Sequence, residues 1–297
     1  MSALRESTVE ELRQDGLPPE EVLRIVSTAL AEDLGPDNSD VTSSATIRAD
    51  QRDIGDLVAR ADGVLAGLAV AAAVFDVAGA GSVAFTRRME DGTRVVRGQI
   101  LATVAGPTRA LLAAERTALN LLSRMSGIAT HTRAWADRIE GTGVRVLDTR
   151  KTTPGLRVLE KYAVRAGGGT NKRMGLYDVA MVKDNHALAA GGVVAAFERV
   201  RDAYPDVPVQ VEVTTEAEAV AAVEAGATFL LCDNMTPDML RRVVAAVDGR
   251  AELEATGGLT LDVASEFAAT GVDYLSVGAL THSSPILDIA LDLRPLH

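Results

Sequence analysis

The sequence predicts an α/β protein in two parts: a front third that mixes strands and helices, then a barrel of alternating strands and helices. Two observations carry the barrel. From Val144 onward six apolar runs recur: Val144–Leu147, Val179–Val182, Val209–Val213, Phe229–Cys232, Glu252–Ala255 and Tyr274–Val277. Helical stretches separate them, at Leu156–Val164, Val193–Ala203, Ala217–Ala225, Pro237–Val247 and Leu261–Ala269. Alternation at this spacing means a parallel sheet with right-handed crossovers, and strands apolar on both faces are what a buried parallel sheet requires. No GxGxxG follows the first run, which weakens a Rossmann reading. Six runs are fewer than the eight of a full barrel, so either two strands escape the pattern or the barrel is incomplete. A third observation concerns the front part, which lacks regular alternation and reads as α+β.

In chain order, residues 1–17 are weakly patterned and are expected to be mobile. Pro18-Pro19 open a helix from Glu20 to Asp33, with Val22, Leu23, Val26 and Leu30 on one face. Gly35 to Asp40 is a turn cluster. Strands are expected at Ile54–Arg60 and Val64–Leu68, joined as a hairpin across Asp62-Gly63. A short helix is expected over Val70–Val77, then strands at Val83–Arg88 and Gln99–Val104. A long helical segment follows from Thr108 to Glu140, expected to break near Gly127. Arg116 is a polar residue in its apolar stripe, where an ion pair with Glu115 would also account for it.

Composition bounds the class. The 297 residues are 47% apolar and only 3% aromatic, so the core is aliphatic. No apolar run approaches the ~18 residues that span a membrane, and the opening MSALRESTVEELRQDG is too polar for a signal peptide. One cysteine, Cys232, permits neither an internal disulfide nor a cysteine metal cluster. The expectation is a cytoplasmic protein. A formal charge of −11 and a pI near 4.9 tell against nucleic acid and anionic membrane as partners.

Against that balance, the stretch from Arg145 to Lys183 carries nine basic and three acidic residues. A cationic pocket in an acidic protein suits a small anion rather than a polyanion. Arg157, Lys161 and Arg165, at helical spacing, are as readily explained as a solvated helix face. Arg150, Lys151 and Lys183 stand where strands end. In a barrel, functional groups lie at the C-terminal ends of the strands. Those ends carry Thr149, Arg150 and Lys151; Lys183 and His186; Glu212; Asp233 and Asn234; Thr256, Gly257 and Gly258; and Gly278 with His282 beyond it. Arginine and lysine hold carboxylates or phosphates. Carboxylates on adjacent strands, Glu212 and Asp233, can hold Mg²⁺ when phosphate oxygens supply further ligands. Glycine turns after the last strands suit a terminal phosphate. Together these imply a ligand with a terminal phosphate, a Mg²⁺-bound polyphosphate and a carboxylate-bearing partner, which phosphoribosyl diphosphate and an aromatic acid satisfy. His131, His282 and His297 read individually as surface residues.

At AERTALNLLSRMSGIAT, LDTRKTTPGLRVLEKYAVRAGGGTNKRMGL, VKDNH, VEV, CDNM, TGG and SVGALTHS the chain resembles the carboxylating nicotinate-nucleotide pyrophosphorylases, also called quinolinate phosphoribosyltransferases. The resemblance implies an N-terminal α/β sandwich domain over residues 1–126, an incomplete, six- to seven-stranded α/β barrel over 127–283, and a tail, 284–297, packing back on the first domain. It implies Mg²⁺-dependent transfer of phosphoribosyl to quinolinate with decarboxylation, giving nicotinate mononucleotide, diphosphate and CO₂ in NAD biosynthesis. It assigns Arg150, Arg173 and Lys183 to the quinolinate carboxylates, joined by Arg116 from the neighbouring subunit of a homodimer, or of a hexamer built from dimers. Lys151, Glu212 and Asp233 match catalytic positions near ribose, diphosphate and metal. Thr256, Gly257 and Gly258, with Val277, Gly278 and Ala279, match the 5′-phosphate turns, and Thr149 and His282 complete the expected substrate contacts. The family usually has His where this chain has Lys172, and commonly Ser where it has Thr256. Lysine keeps a cationic donor but cannot act as a neutral imidazole.

Two other readings use the same residues. Lys151 or Lys183 could form a Schiff base on a barrel of this kind. A non-catalytic relative could bind an anionic metabolite through the same strand ends.

Overall fold

A computed structural model describes residues 4–295; residues 1–3 and 296–297, His297 among them, lie outside the described residues. The chain forms two compact units.

The first unit opens with three helices: α1 (Glu6–Gln14), α2 (Pro19–Leu34) and α3 (Val41–Thr46). The expected mobile start is thus helical from Glu6. Leu12 and Leu17 are buried, and Arg5 anchors the helix by an ion pair of 2.5 Å to the fully buried Asp76. On α2, Val22, Ile25, Val26 and Leu30 form the buried stripe, Ile25 taking the place expected of Leu23. Strands β1 (Arg52–Ala59) and β2 (Gly63–Val64), helix α4 (Leu68–Ala78), and strands β3 (Ala84–Arg87), β4 (Arg94–Val95) and β5 (Ile100–Pro107) follow. The expected hairpin at Asp62-Gly63 does not form. β1 is instead a central strand, antiparallel to β5 on one side, while β2 pairs with β4. Burial of Leu57, Val58 and Ala59 outweighs a local turn signal worth little without packed strands.

Helix α5 (Thr108–Arg138) runs without the break expected at Gly127. Glycine lacks a Cβ but keeps its N–H, so it weakens a helix without interrupting the ladder. Its bareness is used here: a Cβ at 127 would stand 2.8 Å from Ile286 Cα and closer still to the Pro285 carbonyl.

The second unit takes in the end of α5 from Thr132, and its first strand is β6 (Arg145–Leu147). After it, helix α6 (Arg157–Ala166) clusters with the first unit, within residues 152–168, rather than with the barrel as expected. Its polar groups explain this. Buried Glu160 accepts from Arg124 at 2.8 Å, Tyr162 donates to Asp91 at 2.6 Å, and Arg165 donates to the Asp15 carbonyl at 2.9 Å. Lys161, expected on a solvated face, is 1% exposed.

The remaining elements are β7 (Ala180–Val182), α7 (Asp184–Ala190), α8 (Val193–Ala203), β8 (Val209–Val213), α9 (Glu216–Glu224), β9 (Phe229–Asp233), α10 (Pro237–Val247), β10 (Glu252–Thr256), α11 (Ala264–Ala268), β11 (Tyr274–Ser276) and α12 (Ala279–His282). Helix starts are chemically marked. Thr215 accepts from the Glu218 N–H and Thr236 from the Met239 N–H, with Pro237 in the first turn of α10. The final strand, β12 (Ile289–Pro295), belongs to the first unit and pairs with β1 over seven positions, completing a sheet in the order β12-β1-β5-β3.

The six barrel strands form one parallel sheet in the order β6-β11-β10-β9-β8-β7. The first strand lies beside the last, as in a barrel, but β6 and β7 do not pair. This is the incomplete α/β barrel. The first residues of four strands meet at its N-terminal end: Tyr274 stacks on Phe229 at 5.6 Å, Arg145 lies 4.6 Å over the Tyr274 ring, and the Tyr274 hydroxyl donates to Glu252 at 2.9 Å. That end is filled with packed side chains, which leaves the C-terminal end for chemistry.

Candidate active site

A cavity of about 320 Å³ opens at the C-terminal end of the parallel sheet. It is lined by Thr149, Arg150, Lys151, Lys172, Arg173, Lys183, Glu212, Asp233 and Thr256, with Met181, Leu231 and Ser276 between them. Lining residues two apart on one strand, Leu231 and Asp233 on β9, show why: alternate strand residues face the same side, and Lys183 follows Met181 two residues on, just past the end of β7. One-residue slips would turn these charges into the helix layer.

Each group is placed by backbone chemistry. Asp148, fully buried just past β6, accepts from the Asn171 amide at 2.6 Å and the Lys172 N–H at 2.8 Å. This ties the glycine-flanked segment carrying Lys172 and Arg173 to the first strand. Arg173 donates to the Val179 carbonyl at 3.0 Å, and Asp178 accepts from the N–H groups of Met174 and Gly175. Burial, then the charge of Arg150, makes the Arg173 guanidinium less comfortable as a cation. An arriving carboxylate would relieve both.

Across the cavity, Asn234 has φ 54° and Gly257 φ 99°. A Cβ on Gly257 would collide with the Asn234 side chain, so this turn requires glycine. Gly278 plays a similar part: a Cβ there would stand 3.1 Å from Lys151 and 3.2 Å from the His282 ring. The Lys151 carbonyl accepts from the Thr281 hydroxyl at 2.8 Å, joining the first strand end to the last.

The sequence missed the residue beneath this surface. Glu254, inside the apolar run of β10, is fully buried, and its Oε1 accepts from Lys172 Nζ at 2.6 Å. Burial pushes the Glu254 carboxyl up, against the pull of Lys172, and burial pushes the Lys172 amine down, against the pull of Glu254. Glu252, Glu254 and Thr256 share one face of β10 and Leu253 and Ala255 the other, so the alternation of acids with apolar residues was the available signal.

Nine of the expected site residues line the cavity. Gly257, Gly258, Val277, Gly278, Ala279 and His282 do not; the first two follow β10, Val277 and Gly278 follow β11, and Ala279 and His282 lie in α12. Arg116 stands exposed on α5 in the first unit and does not line the cavity; among the described residues it makes no ion pair with Glu115. His131, expected at the surface, is half-buried, its Nδ1 2.8 Å from the Ser284 hydroxyl, and burial lowers its pKa. The Cys232 thiol is buried and pushed up to about 12, first by desolvation, which makes it inert. A larger cleft of about 700 Å³ in the same unit shares Arg173 and Met181, but apolar side chains such as Leu176, Val200 and Tyr204 dominate it. The smaller cavity holds the strand-end charges.

Glu212 and Asp233 offer two oxygen donors on neighbouring strands. Among the described residues no three His, Cys, Asp or Glu side chains group closely enough to hold an ion alone. Two carboxylates plus phosphate oxygens and water is the donor set Mg²⁺ accepts.

Residues 40–126 match the family model for the quinolinate phosphoribosyl transferase N-terminal domain, and residues 128–292 that for its C-terminal domain. The nicotinate-nucleotide pyrophosphorylase [carboxylating] of Mycobacterium leprae is 48% identical, the match covering 90% of this chain and 95% of that protein. A probable counterpart in Bacillus subtilis is 41% identical over 91% and 92%. The solved structure of NadC from Streptococcus pyogenes superposes with a TM-score of 0.90 at 37% identity, covering 95% of this chain and 99% of that one. With both domains matched in order and the whole fold shared, the chain belongs to the quinolinate phosphoribosyl transferase family and is a phosphoribosyltransferase.

Proposed function

We propose that the protein transfers phosphoribosyl from phosphoribosyl diphosphate to quinolinate with loss of CO₂, forming nicotinate mononucleotide and diphosphate for NAD biosynthesis. One observation carries this reading: five cations, Arg150, Lys151, Lys172, Arg173 and Lys183, face Glu212 and Asp233 around one strand-end cavity. A dicarboxylate and a diphosphate both need the cationic wall. A ribosyl cation needs the carboxylates.

The chemistry follows from charge. Lys151 offsets the charge that diphosphate gathers as its bond to ribose C1 breaks, and Glu212 faces the positive charge growing on C1. The pyridine nitrogen closes the new bond to C1 and becomes cationic. That positive charge stabilises the electron pair left on C2 when its carboxylate leaves as CO₂, and C2 then takes up a proton. Arg150, Arg173 and Lys183 hold the acid in place, so positioning and electrostatics supply the rate. Mg²⁺ held at Glu212 and Asp233 would neutralise diphosphate oxygens. Thr149 and Thr256, the turns Gly257–Gly258 and Val277–Ala279, and His282 serve the phosphate end. The working form is a cytoplasmic homodimer, alone or within a hexamer, and the exposed Arg116 of one subunit enters the neighbour's cavity.

The test is diphosphate release and nicotinate mononucleotide formation from quinolinate, phosphoribosyl diphosphate and Mg²⁺. Wild type is expected to turn over, a chelator to stop it and added Mg²⁺ to restore it. Arg150→Ala should lower kcat/KM for quinolinate by about a hundredfold, the size of a charge-assisted hydrogen-bond pair. A wild type that releases no diphosphate would sink the reading.

A further inference from the structure

Of the three cavity lysines, Lys151 and Lys183 are exposed, whereas the Lys172 side chain is 7% exposed. Its stem is buried and its amine meets Glu254, whose Oε2 is buried without a hydrogen-bond partner. A fully buried carboxylate with one lysine as its close charged partner is costly to keep. It lies one pleat below Thr256 on the same face of β10, directly under the cavity lining.

The groups around Lys172 explain what the carboxylate does. Arg173 on the same segment and Lys183 beyond β7 oppose its charge, as does burial; Glu254 from β10 favours it. Ser276 on β11 and Glu212 on β8 in turn bear on Glu254, the hydroxyl lowering and the carboxylate raising its pKa, and Asp148 beyond β6 accepts from the Lys172 backbone N–H. Glu254 supplies the buried counter-charge that favours the charged amine and the contact, at 2.6 Å, that aims it.

We propose that Glu254 is a positioning residue: from beneath the cavity floor it fixes Lys172 as a charged donor in one orientation, so that Lys172 meets a carboxylate of the aromatic acid. This rests on the quinolinate reading above. The residue that touches the acid is Lys172; Glu254 acts through it.

The experiment measures quinolinate binding by calorimetry and both KM values, in wild type, Glu254→Gln, Lys172→Met and the double variant. Glu254→Gln is expected to weaken quinolinate binding by at least about tenfold, the size of a hydrogen bond to a charged group. The KM for phosphoribosyl diphosphate should stay within about twofold, and in the Lys172→Met background Glu254→Gln should add no more than about twofold, the limit of non-interacting sites. Equal weakening for both substrates, or an undiminished Glu254→Gln effect without Lys172, would overturn the proposal. Should Glu254→Gln fail to fold, Lys172→Met/Glu254→Leu replaces the pair by apolar groups, a change cores often accept; it is expected to bind quinolinate as Lys172→Met does, and weaker binding than that counts against a role through Lys172. A wild type that binds and turns over quinolinate while failing these comparisons overturns this inference only; a wild type that does neither overturns the function reading as well.

Discussion

Asp15 shows how a single side chain sets a pH dependence. Burial, helped by the charge of Asp91, raises its pKa from 3.8 to about 6, against Arg87 and the Tyr162 hydroxyl. Between these two values the folded chain holds a proton that the unfolded chain has released, so this group's contribution to stability falls as pH rises through that window. A two-unit shift would amount to roughly 3 kcal/mol; the carboxyl is partly exposed, so about 1 kcal/mol is the better figure. Asp15→Asn removes the penalty. Arg87 keeps its closer partner, Glu11, at 2.8 Å, against 3.8 Å to Asp15. The variant should melt above wild type at about pH 7.5, with the gap closing near pH 4. Melting below wild type at the higher pH would mean that the Arg87 pair outweighs burial. At this same scale the role of Glu254 was hidden in the sequence, because strand alternation places it on a face but does not name its partner, which lies 82 residues away.

Among the elements, strand ends were legible and pairings were not. All six barrel strands lie within the expected apolar runs to within a residue or two, because a parallel strand buried on both faces must be apolar throughout and must stop where charge begins. Helix α7 was missed: it is short and has no buried residues, so no apolar stripe marks it. Gly127 in α5 offers a test of magnitudes. Alanine is favoured over glycine in a helix by about 1 kcal/mol, yet its methyl would overlap the Pro285–Ile286 backbone, and overpacking costs about 1–3 kcal/mol. Because the obstacle is backbone, the clash should win. Gly127→Ala is expected to lower the melting temperature; a rise would show that 285–286 yields freely.

Across the whole molecule, the chain returns to its beginning. β12 pairs with β1 over seven positions, and Leu287 and Ile289 are buried. Those two side chains contribute about 3–6 kcal/mol, a large share of the 5–15 kcal/mol typical of a folded domain. Removal of 284–297 also bares an edge of β1, an invitation to strand pairing between molecules. The truncated chain should lose cooperative melting by circular dichroism and aggregate. Unchanged melting would mean that the first unit does not depend on this strand.

The sequence alone determined the class of fold, the six barrel strands and the cationic strand ends, because period, burial and charge are written locally and a barrel strand has only one end free for chemistry; that the barrel is incomplete was implied by the family resemblance. It also carried the family resemblance in long motifs. Only the tertiary structure decided which strand neighbours β1, that α6 serves the first unit, and that Lys172 is paired with Glu254. Each of these depends on residues far apart in the chain competing for the same buried space, and neither a local turn signal nor a helix period records who wins.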